Sequence, residues 1–257
     1  MKEILIGRRE DQMLNRGLFY GENLFTSFAT IKNKVPFLSS HIKRLEKGLN
    51  YFYPDLDLEE VIADTIKSVQ TLLESGPDDQ YIRLTPLVSL DRQSLSMQIN
   101  YKKYFINYLS KKKLLSTSKH DFCRLSKITK IGNYAESFLA KDKVIKKGFD
   151  DFVKIGNLGQ VTEASTSNII FVLGDKLYSP KVDEESPFLE GVTLSNICDS
   201  KLVRETIYLD QIEKFEYCFL INSVDYLVNV EKIDDIEFKK VEPDSKNFWI
   251  GKVLDIL

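Results

Sequence analysis

Hydrophobic positions along the first hundred residues switch between two rhythms. The strand-favouring stretches LFTSFATI (24–31) and VPFL (35–38) flank Lys32-Asn33-Lys34, which predicts a hairpin turn between them. HIKRLEKGLNYF and LDLEEVIADTIKSVQTLLES then take up helical spacing, with Ser39 and Ser40 placed to cap the first of them. YIRLTPLVSL and SMQINYKKYFINYL return to residues that favour strands. Two helices beside strands able to pair antiparallel predict an α+β layer.

The polar stretch SKKKLLSTS (110–118) reads as a linker. It divides a small N-terminal α/β domain, 1–109, from a C-terminal domain, 119–257. Beyond it, KITKIGNYAESFLAKDKVIKKG (127–148) carries a helix signature. Asn133 and Glu136 form a capping box, and Gly148 stands where a helix-ending glycine belongs. FDDFVKI, QVTE, NIIFVL and KLYS follow as short strands joined by GNLG and GDK turns. A helix near 193–203, strands around 217–221 and 226–233, and a terminal helix from 246 complete the chain. The fold class expected is α/β of the α+β kind, with two domains of unlike character, the second strand-rich.

Composition narrows the function. With 257 residues, 43% hydrophobic and 29% charged, the chain is that of a globular protein with sizeable cores. A net charge of −2 gives no basic field for nucleic acid, so Lys111-Lys112-Lys113 reads as solvated. MKEILIGRREDQ lacks an apolar signal core, and no run approaches membrane-spanning length, so a cytoplasmic protein is expected. Cys123, Cys198 and Cys218 show no paired spacing, and only two histidines exist, His41 and His120. No disulfide framework, metal site or histidine-based triad is expected. Acid–base work would fall to Lys, Glu, Tyr or a cofactor.

Four pieces carry chemistry of that kind. Lys130 stands just before the helix signature, and Glu163 ends the strand QVTE, 33 positions later. A plain ion pair between them is the simplest reading. In PFLEGVTLSN, Gly191 leads into Val192 and Thr193 at a helix start, where free N–H groups attract phosphate. In HIKRL, Arg44 offers a guanidinium suited to clamping phosphate oxygens.

In order, GENLFTSFATIKNKVPFLSSHIKRL, KIGNYAESFLA, GQVTEASTSNIIFV and LEGVTLSN resemble the class IV aminotransferases. These are fold-type IV pyridoxal-phosphate enzymes that include branched-chain and D-amino acid aminotransferases and 4-amino-4-deoxychorismate lyases. The likeness spans about 17–235. It implies pyridoxal 5′-phosphate as cofactor and Lys130, three residues before Asn133 and eighteen before Gly148, as the lysine that carries it. Lys127, six before the asparagine, is then a solvated charge. The resemblance further implies that Glu163 faces the pyridine nitrogen. Arg44, the Val192 and Thr193 N–H groups and Ser223 would hold the phosphate. Tyr134 would bond the ring oxygen, its alternative being a core aromatic. Phe25, Thr26 and Arg83 would face substrate, an ion pair on the strand surface being the alternative for Arg83. His41 reads as structural. A homodimer is implied, with the aromatics of NYFYPDLDL serving either that contact or the first core.

Departures from the family pattern bear on the substrate. Gly21-Glu22-Asn23 replaces Gly-Asp-Gly, Phe25-Thr26 replaces Tyr-Glu, Leu194 stands where arginine is usual, and LVSLDRQSLS replaces a glycine-rich loop. Phe25-Thr26 favours the lyase, which releases pyruvate and 4-aminobenzoate for folate. Transamination of branched-chain or D-amino acids is the alternative, and a non-catalytic binding relative a distant third.

Overall fold

A computed structural model describes residues 1–75, 79–118, 129–132, 134–184 and 187–254. The chain forms two compact units. The first comprises Met1–Ile106 and the short segment carrying Lys130; the second takes the remainder.

The first unit is built on a four-stranded antiparallel sheet. Its elements are β1 (Lys2–Ile6), α1 (Glu10–Met13), α2 (Arg16–Tyr20), β2 (Thr26–Ala29), α3 (Leu38–Phe52), α4 (Glu59–Glu74), β3 (Gln80–Val88) and β4 (Leu95–Lys103). The sheet order is β1-β4-β3-β2. Ile42 and Leu45 of α3, and Ile62, Val69 and Leu72 of α4, meet Phe28, Ile82, Leu84, Met97 and Ile99 of the sheet in one core. These are the apolar positions of the helical and alternating patterns. A second cluster gathers Leu24, Leu49, Tyr53, Val88 and Leu95, with Ile131 packed against it.

Two expectations for this unit change. Lys32 and Asn33, both with positive φ, make the tight turn, but only the Ile31–Lys34 bridge follows. VPFL forms no strand, since Pro36 offers no N–H and Phe37 adopts the left-handed conformation that opens α3. Phe37, not Ser39 or Ser40, therefore occupies the cap position. The aromatics of NYFYPDLDL divide: Tyr53 is buried and Tyr51 exposed.

The second unit holds β5 (Lys111–Ser118), α5 (Ala135–Ile145), β6 (Asp151–Ile155), β7 (Val161–Ala164), β8 (Asn168–Leu173), β9 (Lys176–Pro180), α6 (Val192–Ser195), β10 (Leu202–Glu205), β11 (Tyr217–Asn222), β12 (Tyr226–Ile233), β13 (Ile236–Glu237) and α7 (Lys246–Val253). Its sheet runs β10-β9-β8-β11-β12-β5-β6-β7, and β7 pairs back to β8, so six strands close into a barrel. Val153, Val161, Ile169, Phe171, Leu220 and Val228 fill the core beneath it.

The expected linker is corrected here. Residues 111–118 are β5, which runs parallel to both β12 and β6. Leu114 is fully buried, while Lys111 pairs with Glu231 and Lys112 with Asp151. The lysines are flanking charges on a central strand, not a solvated tether. The expected 193–203 helix shrinks to α6, because Ser195 and Asn196 turn their side chains onto the Val192 carbonyl. The Asn133 cap and Lys127 lie outside the described residues. Among the described residues, no helix is long and apolar enough to cross a membrane.

Candidate active site

Lys130 is placed by backbone pairing. Its carbonyl accepts from the Phe25 N–H at 3.0 Å, and Ile131 bridges antiparallel to Leu24. The lysine thus lies alongside the entry to β2. Thr129, buried just before it, packs on α3 at Gly48, where a Cβ would come within 2.5 Å of the Thr129 hydroxyl. Glycine is the residue that allows this approach.

Phe25 collects two cations. The Arg83 guanidinium carbon lies 3.8 Å from the ring centroid, and the Lys130 Nζ lies 4.9 Å from it. Both distances suit cation–π attraction. Arg83 comes from β3, opposite Ser27 of β2, and its Nε reaches Thr85 at 3.3 Å. Three residues distant in sequence (25, 83 and 130) therefore form one cluster.

Thr26 and Arg44 form a second cluster in the same unit. An Arg44 Nη donates to the Thr26 hydroxyl at 2.6 Å, and that hydroxyl lies 2.6 Å from His41 Nδ1. Thr26 and His41 are fully buried. The Thr26 hydroxyl expected to face substrate is thus committed to the interior, where it aims the arginine. Burial, aided by the Arg44 and Lys130 charges, pushes the His41 pKa well below its ordinary value and keeps the ring neutral. Among the described residues, its Nε2 has no hydrogen-bond partner. His41 also packs against Phe28, with ring centroids 4.8 Å apart, as a structural residue does.

The second unit contributes a different set. Gly191 caps α6, and its N–H donates to Asn168 Oδ1 at 2.8 Å, while Asn168 Nδ2 holds the Leu189 carbonyl at 2.8 Å. A Cβ on residue 191 would fall 2.6 Å from Asn168 Oδ1, so this backbone contact needs glycine. Thr193 Oγ1 and Ser223 Oγ lie 2.8 Å apart. The start of α6 thus gathers N–H groups and two hydroxyls, a donor set suited to phosphate oxygens. Leu194, at the position where arginine was expected, is buried.

Glu163 ends up half-buried on β7, with Oε1 2.9 Å from the Nζ of Lys154. Its ion-pair partner in this unit is a lysine that sequence reasoning passed over. The signal was present, because DFVKI places one lysine inside an otherwise apolar strand. Asn168 was also missed, hidden within a stretch read only as strand. Tyr134 stands at the start of α5, half-buried, its ring 6.2 Å from that of Phe138.

Over this fold and these residues, 23–233 match the family model for amino-transferases of class IV. The chain belongs to that family and is an enzyme of the pyridoxal-phosphate-dependent kind. A probable branched-chain-amino-acid aminotransferase of Rickettsia bellii (strain RML369-C) is 27% identical over 252 residues, covering 89% of this chain and 83% of the relative. Among solved structures, the branched-chain aminotransferase of Thermoproteus uzoniensis with norvaline superposes with a TM-score of 0.78 at 20% identity, covering 99% of this chain and 95% of its own. A Legionella pneumophila protein provisionally named 4-amino-4-deoxychorismate lyase gives a TM-score of 0.74 at 23% identity, covering 93% of each chain. At these identities the two structures speak for the fold.

Proposed function

We propose that the chain binds pyridoxal 5′-phosphate and acts as a 4-amino-4-deoxychorismate lyase, releasing pyruvate and 4-aminobenzoate. The observation that carries this reading is Phe25. Its ring, stacked by Arg83 and approached by Lys130, offers an apolar surface where the amino acid transaminases of the family commonly have a tyrosine hydroxyl. Thr26 no longer contributes to the choice, since its hydroxyl serves Arg44 and His41.

The donors present fit the cofactor: paired hydroxyls and N–H groups at α6 for a phosphate, a carboxylate at Glu163, and an amine at Lys130. When bound, pyridoxal phosphate supplies an electron sink for the bond broken at the substrate's Cα. Lys130 would anchor it covalently and, once released by substrate, carry a proton to and from that carbon. Glu163 would hold the ring-nitrogen proton. Arg44, the Val192 and Thr193 N–H groups and Ser223 would neutralise the phosphate. Tyr134 would steady the ring oxygen, and Arg83 would receive a substrate carboxylate. The enzyme would work as a cytoplasmic homodimer, which sedimentation at micromolar concentration tests.

A second reading, transamination of a branched-chain amino acid, is favoured by the activity named for the Rickettsia relative. One assay separates the two. The lyase forms pyruvate from aminodeoxychorismate with no 2-oxoacid added. A transaminase needs a 2-oxoacid acceptor and follows ping-pong kinetics. Steady transfer from leucine to 2-oxoglutarate, with no pyruvate from aminodeoxychorismate, would replace the lyase by the second reading.

A further inference from the structure

Lys154 sits where an apolar residue would be ordinary. Its strand neighbours Val153 and Ile155 point into the core of the second unit, so Lys154 points to the opposite face. There it is buried, its side chain only 7% exposed, with Nζ 2.9 Å from Glu163 Oε1. A buried ammonium group needs partners, and the Glu163 carboxylate is one of them.

The backbone is shaped to bring the two together. Val153 pairs with Ala164 and Ile155 with Val161, so Lys154 on β6 faces both Thr162 and Glu163 on β7. That extra residue is a β-bulge, a device that re-aims a side chain. The Thr162 hydroxyl donates to the Lys154 carbonyl at 3.0 Å, tying the bulged strand to its neighbour. Thr162 is buried as well. The bulge, the hydroxyl tie and the ion pair at Oε1 together fix the Glu163 carboxylate.

We propose that Lys154 is a positioning residue that shares the Glu163 carboxylate with the cofactor's ring nitrogen and thereby weakens that nitrogen's hold on its proton. The inference rests on the assignment of Glu163 to the ring nitrogen made above. A carboxylate facing the ring alone offers a full negative charge to a pyridinium. A carboxylate already paired offers a charge largely offset, with a second positive group close behind it. Lys154 thus moderates the electron sink that Glu163 would otherwise deepen.

The test is 15N NMR of wild-type and variant proteins reconstituted with pyridoxal phosphate labelled at the ring nitrogen. Lys154→Met removes the charge, Lys154→Gln keeps a hydrogen-bond donor without charge, and Lys154→Arg keeps the charge. In Met and Gln variants the resonance should move towards the protonated position, the protonated-to-neutral ratio rising about tenfold or more. The Arg variant should stay near wild type. Either neutral variant suffices should the other fail to fold. Unchanged resonances in the neutral variants, or an Arg variant displaced as far as they are, would overturn the role. A wild-type protein that takes up no cofactor would instead remove the functional reading itself, and this inference with it.

Discussion

Arg44 reaches from the first turns of α3 to the start of β2 and donates to the Thr26 hydroxyl at 2.6 Å, the same hydroxyl that meets His41. A buried hydroxyl that meets one ring nitrogen and one guanidinium nitrogen holds the arginine in a single direction. Thr26→Val keeps the shape and removes the oxygen. Loss of a hydrogen bond to a charged group costs about 1.5–3 kcal/mol. Cofactor affinity should therefore fall about tenfold or more in equilibrium titration, while Thr26→Ser stays near wild type. Equal affinity in Thr26→Val would free Thr26 from this role.

Lys130 should be the point of covalent attachment. Borohydride treatment of the yellow protein should fix the cofactor on Lys130, as read by peptide mapping, and Lys130→Ala should abolish the adduct and nearly all turnover. An adduct found on Lys127 would refute the assignment by spacing.

For Glu163, substitution by Gln preserves size and removes the charge. Turnover should drop by about two to three orders of magnitude, as for other preorganised electrostatic contacts. Cofactor affinity should change far less. Near-normal turnover would reduce the residue to a partner of Lys154.

Glu22, which stands in place of the expected aspartate, is a structural group with a pH signature. Arg16 grips it at 2.6 and 2.7 Å, and the Tyr53 hydroxyl donates to it at 2.5 Å. Hydrogen bonding from Arg16, then from Tyr53, outweighs partial burial and holds its carboxyl below the usual carboxylate range. The folded pKa is thus depressed. The stability this confers is complete above the unfolded carboxylate pKa and is lost as pH falls through the folded one. Glu22→Gln should be less stable than wild type at neutral pH by about 1–3 kcal/mol in urea unfolding. The gap should close in acid, and a gap that stays constant would assign the loss to packing.

The sequence made the helices α3 and α4 legible because their apolar residues keep a helical period and face one core, and the strand DFVKI because it is a short apolar run. It hid β5 for an equally physical reason. KKKLLSTS has few strand-favouring residues, and its place is decided by two distant partners that pair with it in parallel. The candidate site divides in the same way. Lys130, Arg44 and Glu163 stand in motifs that carry the family resemblance, whereas the Lys154 contact depends on a bulge and that of Thr26 on burial, neither of which a motif reveals.

The backbone pairing of Lys130 with Phe25 also makes the first unit discontinuous along the chain. β5 and α5, before and after Lys130, belong to the second unit, whereas Ile131 completes the cluster of Leu24, Leu49 and Tyr53. A fragment ending at Ile106 would therefore lack Lys130 and leave an apolar hollow beside Leu24. During synthesis Ile131 can join the Leu24 cluster only after β5 has been made, so that contact is a long-range one and slow to form. Truncations or fusions that cut after Ile106 would separate Lys130 and Ile131 from the rest of the first unit.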